Sequence, residues 1–119
     1  MRRKSTSLVA LVLAVVAIAV GGTGQASADS YCPDGWVCFW SNTQYEGTKW
    51  GYGASWADGS WHWFSNGKWS MKNRFTNRAV YYYNGLSELK CRNPNDEDVN
   101  VQGGAQGFYI TVPDKRCWQ

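Results

Sequence analysis

The stretch that decides the fold is CPDGWVCFW at residues 32–40, followed by Tyr-Glu-Gly at residues 45–47. Residues 35–41 place apolar side chains on both faces of an extended chain, which predicts a strand buried in a core. Between the two cysteines lie a proline, an aspartate and a glycine, residue types that favour a turn. This stretch therefore predicts a turn that leads directly into a central strand.

The rest of the chain has the rhythm of a β protein. Short aromatic or β-branched runs are separated every few residues by Gly, Asn, Ser or Asp, which predicts an all-β fold with tight turns. Residues 48–53 alternate as a strand, whereas residues 54–68 are predicted to be a long irregular loop with one short strand at most. Residues 79–83 predict a second core strand, and the Asn-Gly pair at residues 84–85 predicts a tight hairpin. Residues 107–112 are predicted to form the last strand.

The first residues have the three parts of a secretory signal peptide. Residues 2–4 are basic, residues 8–20 are apolar, and residues 26–28 are Ala-Ser-Ala. The apolar run is shorter than the roughly 20 residues that a membrane span needs. We expect residues 1–28 to be removed, residues 29–119 to be secreted as a single domain, and no attachment to a membrane afterwards.

The charge of the chain argues against two classes of partner. The chain carries 12 Lys and Arg against 9 Asp and Glu, a formal net charge of +3. Because the three basic residues Arg2, Arg3 and Lys4 lie in the expected signal peptide, the exported domain is close to neutral. A neutral domain offers no basic face to nucleic acid or to anionic lipid, and we expect neither as a partner.

The cysteines predict disulfide bonds. The chain has Cys32, Cys38, Cys91 and Cys117, and an exported chain meets oxidising conditions. Four cysteines allow three pairings, among which sequence alone does not choose. Closeness in sequence favours Cys32 with Cys38 and Cys91 with Cys117. A zinc site is the alternative, but it needs close C-x-x-C pairs or a Cys/His quartet, and the chain has neither. We expect no metal and no cofactor.

Two motifs carry a resemblance to a known family. The segment Trp40-x4-Tyr45-x-Gly47 resembles the aromatic-x4-aromatic-x-Gly signature of βγ-crystallin Greek keys, in which the glycine takes a backbone angle that other residues resist. With CPDGWVCFW at residues 32–40 and the WSMKNRF segment at residues 69–75, the chain resembles the actinobacterial secreted peptidase inhibitors of βγ-crystallin type, the metalloproteinase-inhibitor family.

The resemblance implies a fold and a function. The implied fold is a small βγ-crystallin-like Greek-key β-sandwich with two disulfides. The implied function is inhibition of extracellular metallopeptidases by a rigid loop framed by disulfides. The chain departs from crystallin calcium sites, since residues 66–71 have Gly67 and Met71 where a carboxyl or amide and a hydroxyl are expected.

An inhibitor of this kind would contact its peptidase through exposed segments. We expect these segments to be residues 56–64 and residues 92–106. Aromatic residues anchor many protein interfaces, and valine suits the hydrophobic pocket of a thermolysin-like enzyme. The candidate contact residues are Trp56, Trp61, Trp63, Val99 and Val101.

Two other functions fit the same residues less well. Exposed indoles can stack on sugar rings, so the chain could be a carbohydrate- or cell-wall-binding module, or an antifungal protein resembling the killer-toxin-like βγ-crystallins. It could also be an extracellular β domain without a ligand. An enzyme is expected least, with no catalytic residue, because His62 is the single histidine and no nucleophile or orienting acid stands beside it.

Overall fold

The computed structural model describes residues 29–119, and the expected signal peptide lies outside them. Within that part of the chain, strands are the dominant structure, which confirms the all-β prediction. Two short 3-10 helices span Thr43–Tyr45 and Ala54–Trp56. The strands are β1 (Val37–Trp40), β2 (Lys49–Tyr52), β3 (His62–Lys68), β4 (Ser70–Asn73), β5 (Val80–Tyr83), β6 (Leu89–Arg92), β7 (Glu97–Asp98) and β8 (Ala105–Ile110).

The strands form two four-stranded antiparallel sheets. The first sheet has the order β2-β1-β4-β7, and the second has the order β3-β8-β5-β6. The described chain consists of two runs of four strands, β1–β4 and β5–β8, and both runs follow one pattern. In each run the first strand pairs with the second and the fourth, and the third strand joins the other sheet. The halves are therefore interlocked, and separating them would break both sheets.

The main core lies between the inner faces of the two sheets. The ring of Phe39 in β1 is 5.0 Å from that of Phe64 in β3 and 5.3 Å from that of Phe108 in β8, measured between centroids. Burying such rings removes roughly 150–250 Å² of surface each, which compensates for the small size of the domain. The buried members of this core are Val37, Phe39, Met71, Phe75, Val80, Tyr82, Val101, Ala105, Phe108 and Ile110.

Both disulfides favoured by closeness in sequence are present. Cys32–Cys38 and Cys91–Cys117 have Cα–Cα distances of 5.9 and 5.7 Å, and the described residues contain no free cysteine. The first disulfide is buried against Trp40 in a second, smaller cluster. It therefore adds to the packing of β1 as well as closing the turn before that strand.

The motif Trp40-x4-Tyr45-x-Gly47 forms the turn from β1 to β2. Trp40 is fully buried, and the ring of Tyr45 packs edge-on against it with a centroid distance of 5.1 Å. Gly47 has a φ of +86°, in the left-handed region that favours glycine. The hydroxyl of Ser70 in β4 accepts a hydrogen bond from the backbone N–H of Tyr45 and donates one to the carbonyl oxygen of Asn42. The motif thus fixes this turn against a neighbouring strand.

Two local predictions are wrong. Within residues 54–68, where the sequence predicts a long irregular loop with one short strand at most, residues 62–68 form the seven-residue strand β3, because β3 pairs with β8 through Trp63 and Gly107 and through Lys68 and Ala105. The connection from β5 to β6 is not a two-residue turn, because Tyr83 pairs with Leu89 and residues 84–88 form the loop. No helix within residues 29–119 is long and apolar enough to cross a membrane.

Candidate functional site

The loop of residues 84–88, called the 84–88 loop below, presents an apolar side chain to solvent. It joins β5 to β6 just beyond the pair formed by Tyr83 and Leu89. The side chain of Leu86 is 60% exposed, and Leu89 at the base of the loop is also exposed. An exposed leucine on a hairpin loop is a feature that the sequence interpretation missed, although the Asn-Gly pair before it marks the turn.

Asn84 holds this loop from within. Its side chain is buried, and its Oδ1 accepts hydrogen bonds from the backbone N–H groups of Leu86 and Glu88, both at 2.9 Å. Its Nδ2 donates to the Oε1 of Glu88 at 2.8 Å, and its backbone N–H donates to the carbonyl oxygen of Glu88 at 3.0 Å. The side chain of Asn84 therefore makes three hydrogen bonds within the loop, which restrict the conformational freedom of the loop.

The segment before β8 supports the loop from the other side. The backbone N–H of Gly85 donates to the carbonyl oxygen of Gln102 at 2.9 Å. A Cβ atom on Gly85 would overlap the backbone of Gly103, so the two backbones meet closely because neither residue has a side chain. The 84–88 loop is braced on both sides while the side chain of Leu86 remains outside.

An aromatic row flanks the loop on the second sheet. Trp63 in β3 and Tyr83 in β5 both pair with Gly107 of β8, and their rings stack across it with centroids 6.0 Å apart and planes 18° apart. A Cβ atom on Gly107 would overlap the ring of Trp63. The ring of Trp61 stacks on that of Trp63 with centroids 5.5 Å apart, and it packs at a tilt of 35° against that of Tyr83 with centroids 5.0 Å apart. Trp63 is 62% exposed, so the row is open to solvent next to the loop.

The three predicted contact tryptophans do not form one cluster. Trp61 and Trp63 lie together in the aromatic row. Trp56 is exposed but sits elsewhere, with its ring 5.0 Å from that of Tyr52 and 4.9 Å from that of His62. Successive residues of a strand point to opposite faces, so His62 and Trp63 in β3 direct the two groups of rings apart.

The two predicted contact valines also differ. Val99 is exposed, and its carbonyl oxygen accepts a hydrogen bond from Gln44 on the side of the first sheet. Val101 is 1% exposed and belongs to the main core, so the expectation that its side chain is exposed is wrong. The chain turns inward there because the backbone N–H of Val101 donates to the carbonyl oxygen of Trp69.

His62 has an acidic neighbour that the sequence interpretation did not foresee. Its Nε2 is 3.0 Å from the Oδ1 of Asp58 and 3.1 Å from the carbonyl oxygen of Trp56. Among the hydrogen bonds of residues 29–119, none joins His62 to a hydroxyl or a thiol. The imidazole ring packs 5.2 Å from the ring of Phe108. Within the described residues the pair is thus not hydrogen-bonded to a nucleophile of the kind that a catalytic triad contains.

Residues 66–71, which depart in sequence from crystallin calcium sites, contain a buried cationic side chain. Within residues 29–119, no group of three or more His, Cys, Asp or Glu is placed to bind a metal ion. At residues 66–71 the side chain of Lys68 is buried, and its Nζ donates to the carbonyl oxygen of Asn66 at 2.9 Å. A buried ammonium group next to that carbonyl disfavours a calcium ion at the same place.

A disulfide-bonded β domain with an exposed apolar side chain on a braced loop has the features of a protein that binds other proteins. The model of peptidase inhibitor family I36 matches residues 25–88, which is more than half of the chain. The chain belongs to peptidase inhibitor family I36. The matched region ends with the 84–88 loop and does not reach Cys91. No curated protein and no solved structure matches the chain.

Proposed function

We propose that this protein is secreted and inhibits extracellular metallopeptidases by offering the 84–88 loop to their active sites. Membership of family I36 supports a peptidase as the partner. The observation that carries the choice of loop is the contrast between the exposed side chain of Leu86 and the buried, hydrogen-bonded side chain of Asn84. A leucine suits the hydrophobic pocket of a thermolysin-like enzyme.

The mechanism rests on rigidity. A loop that is already held in its bound shape loses little conformational entropy when it docks, so more of the contact energy is available for affinity. The hydrogen bonds of Asn84 and the close backbone contact of Gly85 with Gly103 supply this rigidity. The Cys91–Cys117 disulfide secures β6 directly behind the loop.

The aromatic row extends the proposed contact surface. Trp63 and Leu89 lie on either side of Tyr83 in the second sheet, at the end from which the 84–88 loop projects. We propose that Trp63 makes secondary contacts with the peptidase and that Trp61, which stacks on Trp63, holds the ring of Trp63 in place. Trp56 and Val99, which are exposed outside this row, are proposed as peripheral contacts.

We further propose that the two runs of four strands are Greek keys of the βγ-crystallin type. The exchange of the third strand between the sheets supports this assignment. The geometry of Trp40, Tyr45 and Gly47 in the first run supports it as well.

The inhibitor proposal is tested with the protein recovered from culture medium after expression of the full chain. N-terminal sequencing checks for cleavage after residue 28. We expect micromolar or tighter inhibition of thermolysin-type enzymes, with subtilisin-type enzymes as the comparison. Leu86→Ala is expected to raise the inhibition constant about 30-fold, the effect of losing a contact of about 2 kcal/mol.

Val112→Ala is the matched control, because Val112 is 57% exposed but follows Ile110, at the end of the sheet far from the 84–88 loop. It should leave the inhibition constant unchanged. Absence of inhibition by the wild-type protein would overturn the function. Full inhibition by Leu86→Ala would overturn only the choice of loop and would leave the inhibitor function in place.

A second candidate function, carbohydrate binding, is favoured by the aromatic rings on the outer face of the second sheet. The ring of Tyr109 lies 5.7 Å from that of Trp61 and enlarges the aromatic row. Pull-down on chitin, cellulose and peptidoglycan distinguishes this function from inhibition. Retention that is lost in Trp63→Ala and kept in Leu86→Ala would support a sugar site. No retention on any of these polymers would exclude binding to them.

A further inference from the structure

A cavity opens between the edge strands of the two sheets. β2 is an edge strand of the first sheet and β3 an edge strand of the second, and the cavity between them has a volume of about 460 Å³. This volume falls within the range of roughly 300–1,000 Å³ that small-molecule sites occupy. The lining residues are Ser41, Trp50, Tyr52, Trp63, Phe64, Ser65, Asn66, Gly67 and Lys68.

Lys68 places a positive charge in the wall of this cavity. The residue is 6% exposed, and its Nζ lies 3.9 Å from the ring centroid of Trp50 and 5.1 Å from that of Phe64. The single hydrogen bond that the ammonium group makes within residues 29–119 goes to the carbonyl oxygen of Asn66. These three contacts of the ammonium group are all with neutral groups.

No carboxylate of residues 29–119 forms an ion pair with this ammonium group. The ion pairs within residues 29–119 use the cationic side chains of Lys49, His62, Arg74, Lys90 and Arg92, and none involves Lys68. Burial of an ammonium group without a counterion is unfavourable, and burial accordingly lowers the pKa of Lys68. Contacts with aromatic faces offset part of this penalty.

We propose that this cavity binds a small organic acid, whose carboxylate pairs with the ammonium group of Lys68 and whose ring packs against Trp50 and Trp63. The carboxylate would supply the missing counterion in a partly desolvated place, where a charge-assisted hydrogen bond is strong. The aromatic walls suit a flat ring, either an aromatic ring or the face of a sugar acid. A cationic ligand is disfavoured by the charge of Lys68.

This site is separate from the proposed inhibitory loop. None of residues 84–88 lines the cavity, and Trp63 alone belongs both to the cavity and to the aromatic row. Failure of the acid-binding proposal would therefore leave the inhibitor proposal intact, and the reverse also holds.

The test uses phenylacetate and glucuronate as probes, with phenylacetamide and glucose as their neutral counterparts. Binding is followed by the NMR signals of the tryptophan indole N–H groups. We expect at least one acid to bind with a millimolar or lower Kd and at least tenfold more tightly than its neutral counterpart. Binding of phenylacetate alone identifies an aromatic acid as the ligand class, and binding of glucuronate alone identifies a sugar acid.

Lys68→Met removes the charge and keeps most of the side-chain volume, and it should weaken binding of the acid at least tenfold. Lys72→Met is the matched control, because the ammonium group of Lys72 also lies over an aromatic ring, that of Tyr45 at 4.3 Å, but outside the cavity. It should leave binding unchanged. If Lys68→Met does not fold, the comparison of the acid with its neutral counterpart in the wild-type protein still tests the proposal. Equal binding of acid and neutral probe, or no binding of either acid, overturns the proposal.

Discussion

The side-chain amide of Asn73 donates a hydrogen bond to the carbonyl oxygen of Arg92 at 3.1 Å and thereby links β4 of the first sheet to β6 of the second. The same Nδ2 lies 2.8 Å from the carbonyl oxygen of Arg78 and 3.1 Å from that of Asn93, and Oδ1 accepts from the N–H of Phe75. Asn73 is fully buried. One amide group thus joins the two interlocked halves of the chain.

Asn73→Asp should destabilise the protein more than Asn73→Ala. Aspartate would place a carboxylate against three carbonyl oxygens with no donor to replace the amide, and an uncompensated buried charge costs about 3–5 kcal/mol. Alanine leaves polar groups unpaired at about 1–3 kcal/mol. Urea unfolding at pH 7 measures both variants. Asn77→Asp, on an exposed residue, is the control and should change the free energy of unfolding by less than about 0.5 kcal/mol. Equal losses for the two Asn73 variants would contradict the assigned network.

Gly85→Ala should destabilise the protein and loosen the 84–88 loop. The added Cβ would overlap the backbone of Gly103, which cannot move aside as a flexible side chain would. Overpacking of this kind costs about 1–3 kcal/mol. Thermal unfolding and amide hydrogen exchange in residues 84–88 measure the two effects.

Gly53→Ala provides the comparison. Its φ is −88°, and an added Cβ would meet the indole ring of Trp36 at ordinary contact distances of 3.6–3.8 Å. We therefore expect its stability to stay within about 1 kcal/mol of the wild type. A Gly85→Ala variant as stable as Gly53→Ala would show that the two backbones are not in close contact in solution.

Stability should fall as the pH rises above about 10. Burial, together with the hydrogen bond that its hydroxyl donates to Asp98, raises the pKa of Tyr82 above its ordinary value. Above pH 10 the unfolded chain loses this proton while the folded chain keeps it, so the unfolded state binds fewer protons and the free energy of unfolding decreases. The contribution of Tyr82 is about 1.4 kcal/mol per pH unit.

Urea unfolding from pH 8 to pH 11 measures this slope. Tyr82→Phe should be less stable at neutral pH, because the hydrogen bond to Asp98 is lost, and should show a smaller alkaline decrease. Tyr31→Phe removes the hydroxyl of an exposed ring and is the control. An unchanged slope in Tyr82→Phe would contradict the assignment.

The Cys91–Cys117 disulfide should hold the C-terminal residues on the second sheet. The backbone N–H of Trp118 donates to the hydroxyl of Tyr81 at 2.6 Å, and the two rings are 5.2 Å apart. For a sequence separation of 26 residues, loss of the bond costs about 3.5 kcal/mol through the entropy of the unfolded chain. The double variant Cys91→Ala/Cys117→Ala should lose this free energy and the distinct NMR signal of the Trp118 indole. Cys32→Ala/Cys38→Ala should keep that signal, and a signal that persists in both variants would contradict the assigned role.

Local sequence was a sound guide wherever the pattern itself dictates burial or turning. Residues 37–40 are apolar on both faces, and all four are buried in β1. The short segment between Cys32 and Cys38 contains turn-forming residues, and the disulfide closes it. The same local logic was not enough for Trp36, which lies within the predicted buried strand of residues 35–41 but is 42% exposed, because β1 begins only at Val37.

The candidate site was less predictable because it depends on contacts between distant segments. Residues 62–68 look irregular in sequence, and they become a strand through pairing with β8, which lies about 40 residues further along the chain. The exposure of Leu86 on a fixed loop depends on the close contact between the backbones of Gly85 and Gly103, and no local motif predicts that contact. Val99 and Val101 are only two residues apart, but the side chain of Val99 is exposed and that of Val101 is buried. The difference depends on the hydrogen bond from the backbone N–H of Val101 to the distant carbonyl oxygen of Trp69.

The amino-acid sequence by itself determined the β class and the central strand, because these follow from alternation and turn chemistry, and it favoured the pairing of the cysteines that are closest along the chain, because short loops close easily. The tertiary structure alone decided which loop is braced, which indoles share a face, and that the ammonium group of Lys68 is buried against aromatic rings. Those properties arise from strands exchanged between two sheets, and such pairings join residues that no local pattern relates.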